Sequence, residues 1–413
     1  MYQVFNLPGC QKRVPSNDGA VLVVVSLESV PEIRRMPIEG LCLQVKLLDP
    51  DCNIEDFLIK TLDPPRSETI HNAVAVLQDI GALSLDEKLT VLGEKLGSLP
   101  VHPLTSKMLF FSILMNCLDP ALTLACATDF KDPFSLPMLP DDKKRAAAAK
   151  YELASLYGGH SDQLAVVAAF DIWKTAKKRD QEELFCSQYF VSSSTMHMLS
   201  RMRKQLQADL HRHGFIPDDV SRCSLNARNP GILRAVLVAG LYPMVGRLVP
   251  ARKKMKRSVV ETPNGVKVCL NNHSMNYKLA KVNSDDRPLI MFDEITRGDA
   301  VTVIVDRWLQ FGSKALDVAQ IYCLRERLSA AILFKVTHPR KVLPPGLGAS
   351  VYAIACALSY DGLSGISIPK ESEESPTSVE NETVTDDSVV PLQDCYLHKS
   401  IMCDILRDDA LEQ

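Results

Sequence analysis

The residues best suited to chemistry are cations. Arg247 is followed by the run ARKKMKR at 251–257, which adds Arg252, Lys253, Lys254, Lys256 and Arg257. Cations at that density neutralise phosphates and release counterions, so the run reads as a nucleic-acid contact, or as a solvated or nuclear-localisation patch. A second candidate is PLIMFDEIT at 288–296, an apolar strand ending in Asp293-Glu294. It mimics the carboxylates that hold Mg²⁺ and activate water in nucleotide hydrolysis. Those carboxylates need a loop that holds the phosphates, and no G-x-x-x-x-G-K-[ST] string occurs in the chain. His211-x-His213 has metal-ligand residue types without a cysteine or carboxylate at ligand spacing, so solvated histidines at a helix C-terminus fit better. Ser161 and Asp162, in HSDQL, are good helix-capping residues. No catalytic residue and no metal ligand is assigned.

Composition excludes several classes. The chain of 413 residues has a net charge of -3, so it generates no global basic field and any nucleic-acid contact must be local. Its twelve cysteines run from Cys10 to Cys403 with no C-x-x-C pair, which fits reduced structural cysteines and an intracellular protein rather than a zinc site or a disulfide framework. Apolar runs such as VLVVVSL fall well short of the roughly 18 residues of a membrane helix, and MYQVFNLPGCQKR lacks signal-peptide order. A soluble protein, nuclear or cytoplasmic with the nucleus favoured, and no membrane partner are expected.

The elements that must position these residues are mostly helices. Leu41, Val45 and Leu48 recur at i, i+4, i+7 until Asp49-Pro50 stops them. Helices are expected next at about 53–62 and 67–80, followed by a small hairpin in GALSLDEKLTVL, the outline of a winged helix. In LGEKLGSLPVHPLTSKML, Pro100 stops one helix, and Pro103 restarts another that carries Leu104, Met108, Phe111 and Met115 on one face. Asp119-Pro120 gives a further start, and helices are expected at about 141–157, 160–176 and 192–213. The last should carry Met196, Leu199, Met202, Leu206 and Leu210 inward, with Arg201 and Lys204 outward. After about Asn229 the texture turns β-rich, which predicts a small antiparallel barrel. Helical patterning returns at 314–359, and the acidic 371–390 stretch is expected to be disordered.

Several strings carry a family resemblance. VPEIRRMPIEGLCLQVKLL, LTVLGEKLGSLPVHPLTSKMLFFSILMNCLDPALTLA, KDPFSLP, HSDQLAVVAAFDIW and ILRAVLVAGLYPMVGRL resemble successive signatures of the C-terminal half of DEAH-box RNA helicases. EITRGD, ALDVAQIYCLRERLSAAILFKV and LGASVYAIACALSYDG resemble its plant nuclear DEIH-box members. The resemblance covers about Val30 to Gly362. It implies a multi-domain α+β chain with a winged helix at 30–99, a helical ratchet bundle at 100–226 and an OB-type β-barrel at 227–313. A helical extension at 314–362 and a mostly disordered acidic tail at 363–413 follow, and 1–29 is a divergent lead-in or remnant.

The family's two ATP-binding RecA-like domains are expected before Val30, so ATP and Mg²⁺ belong to the full-length family and no cofactor is assigned to this chain. The resemblance implies an RNA-binding accessory region that is inactive alone, or a scaffold for a RecA-bearing helicase portion or a helicase cofactor protein. A further alternative is an incomplete version of a full helicase. The partner implied is single-stranded or structured RNA, held by Arg247, Arg252, Lys253, Lys254, Lys256 and Arg257, and by Ser161, Asp162, Ser274 and Asn276. The segment LNNHSMN keeps the family's Ser274 and Asn276, whereas Asn271-Asn272 replace His-Pro.

Overall fold

The first helix, α1 (Glu39–Leu48), ends as its sequence requires: Asp49 takes φ -140°, ψ 95°, the extended conformation that Pro50 imposes on it. The structure, a computed structural model, describes residues 31–159, 161–242, 246–249, 259–262, 265–270, 274–276, 300–305 and 309–359. Asn53 caps α2 (Ile54–Leu58) by accepting from Asp56 N at 3.0 Å. Ile70, Ala73, Val74 and Leu77 form the buried stripe of α3 (Ser67–Asp79), and Gly81, at φ 77°, reverses the chain after it. The expected hairpin is reduced to one bridge, Leu83 to Leu89, because Thr90 then caps α4 (Val91–Gly97) by accepting from Gly93 N at 2.9 Å. An added Cβ on Gly93 would lie 2.0 Å from the Ala82 carbonyl oxygen, so α4 packs on the bridge only through glycine. Leu43, Ile54, Leu58, Ile70, Leu77 and Leu96 form the core of this first module.

Pro103 is the first residue of α5 (Pro103–Leu114), the restart that the two prolines signal. His102 is its cap, with Nδ1 accepting from Leu104 N at 3.3 Å. Asp129, which closes α6 (Leu118–Asp129), accepts from His102 N at 2.7 Å and Thr105 Oγ1 at 2.8 Å. His102 Nε2 lies 3.4 Å from Glu39 Oε2 at the start of α1. The joint is therefore held to α1 on one side and to α6 on the other. Burial pushes the Asp129 carboxyl above its ordinary value. Burial acts the same way on Glu39, but the hydrogen bond and charge of His102 and a backbone hydrogen bond together outweigh it and hold Glu39 below the usual range.

Four helices complete the bundle: α7 (Pro140–Ser155), α8 (Asp162–Lys178), α9 (Glu182–Gln188) and α10 (Ser193–Arg212). The short α9 had no counterpart among the expected helices. On α10 the expected inward stripe is corrected at one place: Met202 is half-buried, and Arg203, only 8% exposed, points into the bundle. Arg203 bonds the Asp119 carbonyl at 2.9 Å, the Asp119 carboxylate and Thr123 Oγ1, and lies 4.6 Å over the Phe170 ring. Lys174 sits 3.5 Å from Asp119 and 2.9 Å from Asp171. One buried cation and one half-buried cation thus tie α6, α8 and α10 together.

The β-rich texture expected after Asn229 begins later, because Pro230–Leu241 is a helix, α11. Asn229 caps it through Ile232 N at 3.1 Å, and it packs against α5 so closely that a Cβ on Gly240 would lie 2.2 Å from Met108 Cβ. The strands follow. β1 (Arg247–Val249), β2 (Val259–Glu261) and β3 (Lys267–Cys269) form an antiparallel meander with Leu248 opposite Val260 and Val260 opposite Val268. A separate hairpin pairs β4 (Ala300–Val305) with β5 (Leu309–Lys314), and no ladder joins the two sheets among the described residues. The coarse architecture is mostly helical with two small antiparallel sheets. α12 (Ala315–Thr337) and α13 (Pro345–Leu358) then pack on each other, α12 touching α4 and α5 and α13 touching α11.

Candidate nucleic-acid interface

Ser161 does what its type predicts: it is the N-cap of α8, and its Oγ accepts from Leu164 N at 3.2 Å. Asp162, the first residue of that helix, has a carboxylate filled by three donors. Lys150 Nζ lies 2.7 Å from Oδ1, Met275 N donates to Oδ1 at 3.1 Å, and Ser274 Oγ donates to Oδ2 at 2.6 Å. Ser274 Oγ in turn accepts from Asn276 N at 3.2 Å. The structure brings Ser161, Asp162, Ser274 and Asn276 to one place, across 112 residues of chain between Asp162 and Ser274.

Ser161 Oγ is engaged by the cap, and the Asp162 carboxylate by Lys150, Ser274 and Met275 N. Asp162 is a latch that seats the 274–276 turn on the start of α8, and Lys150, 12% exposed and 5.0 Å over the Phe134 ring, cancels its charge. Sequence reasoning missed Lys150, since nothing in α7 distinguishes it from neighbouring lysines until α8 packs beside it. Arg203 did carry a signal, because it falls on the inward phase of α10 between Leu199 and Leu206.

The basic run is placed only in outline. Arg247 opens β1, with Glu261 as its partner across the ladder. Arg252, Lys253, Lys254, Lys256 and Arg257 lie outside the described residues, in the sequence between β1 and β2. The Asp293-Glu294 decoy also lies outside them, as do residues 1–29 and the acidic 371–390 stretch. His211 Nε2 lies 2.7 Å from Asp218 Oδ1 and His213 Nδ1 2.7 Å from the Asp209 carbonyl oxygen, so each has a local partner. No group of residues able to hold a metal occurs among the described residues.

The other titratable groups belong to the frame. Burial would raise Asp119, but Arg203 and Lys174 outweigh it and hold it below the usual carboxylate range. Tyr157 is pushed up by burial and by Asp171, whose Oδ2 accepts from its hydroxyl at 3.3 Å. Burial pushes the Cys42 and Cys126 thiols up to about 12, which makes them packing residues rather than nucleophiles.

Comparison with known proteins then fixes what this frame is. Residues 73–101 match the winged-helix model of the helicase associated domain (HA2), and 102–196 match the ratchet-like model of the same domain. The two matches meet between Val101 and His102, inside the joint between Pro100 and Pro103. The chain is 51% identical over 425 aligned positions to the DExH-box ATP-dependent RNA helicase DExH6 of Arabidopsis thaliana, covering 83% of this chain and 33% of that one. It is 47% identical over 430 positions to DExH2 of the same plant, covering 87% and 27%. This chain carries the C-terminal, helicase-associated part of a DExH-box RNA helicase.

The same region is 34% identical to the ATP-dependent DNA/RNA helicase DHX36 of Bos taurus, with 76% of this chain covered. The chain spans about a third of the length of the curated relatives it matches. As a helicase-associated region it has the modules its sequence suggested, namely the winged helix and the ratchet bundle.

Proposed function

We propose that this helicase-associated region binds the sugar-phosphate backbone of single-stranded RNA, and that strands β1–β5 belong to an OB-type barrel whose β1–β2 connection carries the cations. The observation that carries this reading is the Asp162 latch. It ties residues 274–276, a few positions after β3, to the start of the ratchet helix α8. Arg247, Arg252, Lys253, Lys254, Lys256 and Arg257 hold phosphates, while Ser161, Asp162, Ser274 and Asn276 fix the junction. Binding is electrostatic, modest and salt-dependent. ATP and Mg²⁺ are the business of RecA-like domains, with their P-loop, and this chain alone does not hydrolyse ATP. A filter-binding titration tests the reading: affinity at low salt that falls steeply with added salt supports it, and no RNA affinity at low salt overturns it.

A second reading rests on an exposed apolar group on the winged helix. Leu48, Ile59 and Leu62 are 77%, 51% and 99% exposed at the ends of α1 and α2 and beyond. Exposed leucines and isoleucine of this kind fit a protein partner, a RecA-bearing helicase portion above all. Capture of a RecA-bearing polypeptide after RNA digestion, lost on replacing these three residues by Ser, supports it; unchanged capture by the variant overturns it.

A further inference from the structure

The outward face of α10 carries cations that the interface above does not use. Arg201 and Lys204 stand three residues apart on one side of the helix, flanked there by His197 and His211, with Arg212 beside them. Met196, Leu199, Leu206 and Leu210 are buried on the other side. From His197 to Arg212 the stripe runs about 22 Å at a rise of about 1.5 Å per residue. No carboxylate interrupts it, since Asp209 is buried and paired with Arg212 at 3.0 Å.

Lys177 of α8 extends the stripe: its Nζ lies 3.1 Å from His197 Nδ1 and 5.1 Å over Trp173, with exposed Lys178 and Arg179 following. Acids meet it only near its ends, Glu182 at 2.8 Å from His197 and Asp218 at 2.7 Å from His211. Between them Arg201 and Lys204 are exposed and make no ion pair or hydrogen bond among the described residues.

Local helix physics explains part of this. The helix dipole favours cations in the last turn, which accounts for Arg212. It does not reach Arg201 and Lys204, in the middle of the helix. A face built for helix stability places acids a turn away from bases, whereas here bases neighbour bases and repel. Two exposed cations one turn apart, Arg201 and Lys204, suit neighbouring charges of a polyanion. The face is also separate from the Asp162 latch, because Asp162 and Lys177 stand about 22 Å apart along α8.

We propose that the outward face of α10, with Lys177, Lys178 and Arg179 at one end, is a second contact line for the backbone of single-stranded RNA, with Arg201 and Lys204 each holding a phosphate. It rests on the RNA-binding reading above.

The test is fluorescence anisotropy of the full chain with a labelled single-stranded RNA across a salt series. It compares wild type, R201Q/K204Q, and the charge-matched pair K143Q/K144Q on α7, with far-UV circular dichroism to confirm that each is folded. The first pair should weaken binding at low salt about fivefold and reduce the log–log salt slope by about 1.4, roughly 0.7 for each phosphate no longer neutralised, while the α7 pair changes neither. If wild type binds RNA and R201Q/K204Q binds with unchanged affinity and slope, the contact line is overturned and the RNA reading stands. Absence of RNA binding by wild type overturns both. An equal loss in the α7 pair reduces the effect to general charge and overturns the line. Competition by polyglutamate as strong as by polyuridylate also overturns it, in favour of an acidic protein segment on this face.

Discussion

Replacing Asp162 by alanine tests the latch with two readouts. The substitution deprives Lys150 Nζ, Ser274 Oγ and Met275 N of their shared acceptor. Hydrogen bonds to a charged group contribute about 1.5–3 kcal/mol each, but Asp162 is 23% exposed and water refills part of the site, so the total is about 2–3 kcal/mol rather than the sum of three. That cost falls on docking of the 274–276 turn, not on the whole bundle. At about 1.4 kcal/mol per factor of ten, amides of β2 and β3 should then exchange roughly 30- to 140-fold faster, with α5 and α8 unchanged. Hydrogen exchange read by mass spectrometry measures it, and protection within about twofold of wild type would refute the latch. The second readout is a sign. Removing a carboxylate beside an RNA path strengthens binding if charge alone matters, whereas losing a latch weakens it by unseating the 274–276 turn from α8. Tighter RNA binding by D162A would count against the account.

Three further outcomes are expected. R203M strands the Asp119 carboxylate and Thr123 hydroxyl; discounted for the 40% exposure of Asp119 and its remaining Lys174, the cost is about 2–3 kcal/mol, read as a melting temperature lower by about 5–10 °C. G240A drives a methyl to 2.2 Å from Met108 Cβ and should cost about 1–3 kcal/mol by overpacking, measured by chemical denaturation, whereas an alanine at Gly159, whose Cβ would meet nothing within 4 Å, is limited to backbone strain at its φ of 69°. Acid should also loosen the bundle. Glu39 and Asp119 are held below their ordinary values, so their contribution is present above about pH 4.5 and lost as pH falls through the lowered values. Asp129, raised by burial, opposes this by gaining its proton in the folded state, and two groups against one give a net fall in melting temperature below about pH 4.

How much of this was legible depends on the range of the forces involved. α1, α3, α5, α8 and α10 announce themselves by spacing and caps within a few residues, although α1 buries Cys42, Leu43 and Val45 and leaves Leu41 and Leu48 of its expected stripe exposed, and Pro100 with Pro103 marked the joint that the two family models divide between them. α11 was hidden because PGILRAVLVAGL is apolar on nearly all sides, wedged between α5 and α13, and so lacks the polar face that signals a helix. The latch was hidden for another reason. Ser161, Asp162, Ser274 and Asn276 were recognisable as separate words, but nothing local reveals that a carboxylate will accept from a hydroxyl 112 residues away. Arg203 lay between these cases: its phase on α10 was visible, while its partner Asp119 was 84 residues distant.

The central claim is that a DExH-type helicase-associated region holds RNA by its phosphates without help from nucleotide. Titrating labelled single-stranded RNA with the 413-residue chain from low to moderate salt, with and without ATP and Mg²⁺, measures it directly. Affinity that falls linearly in log–log form with a slope of about -3 or steeper, several neutralised phosphates at roughly 0.7 each, and that is indifferent to ATP is the result expected. No binding at low salt, or binding that ignores salt, would contradict it.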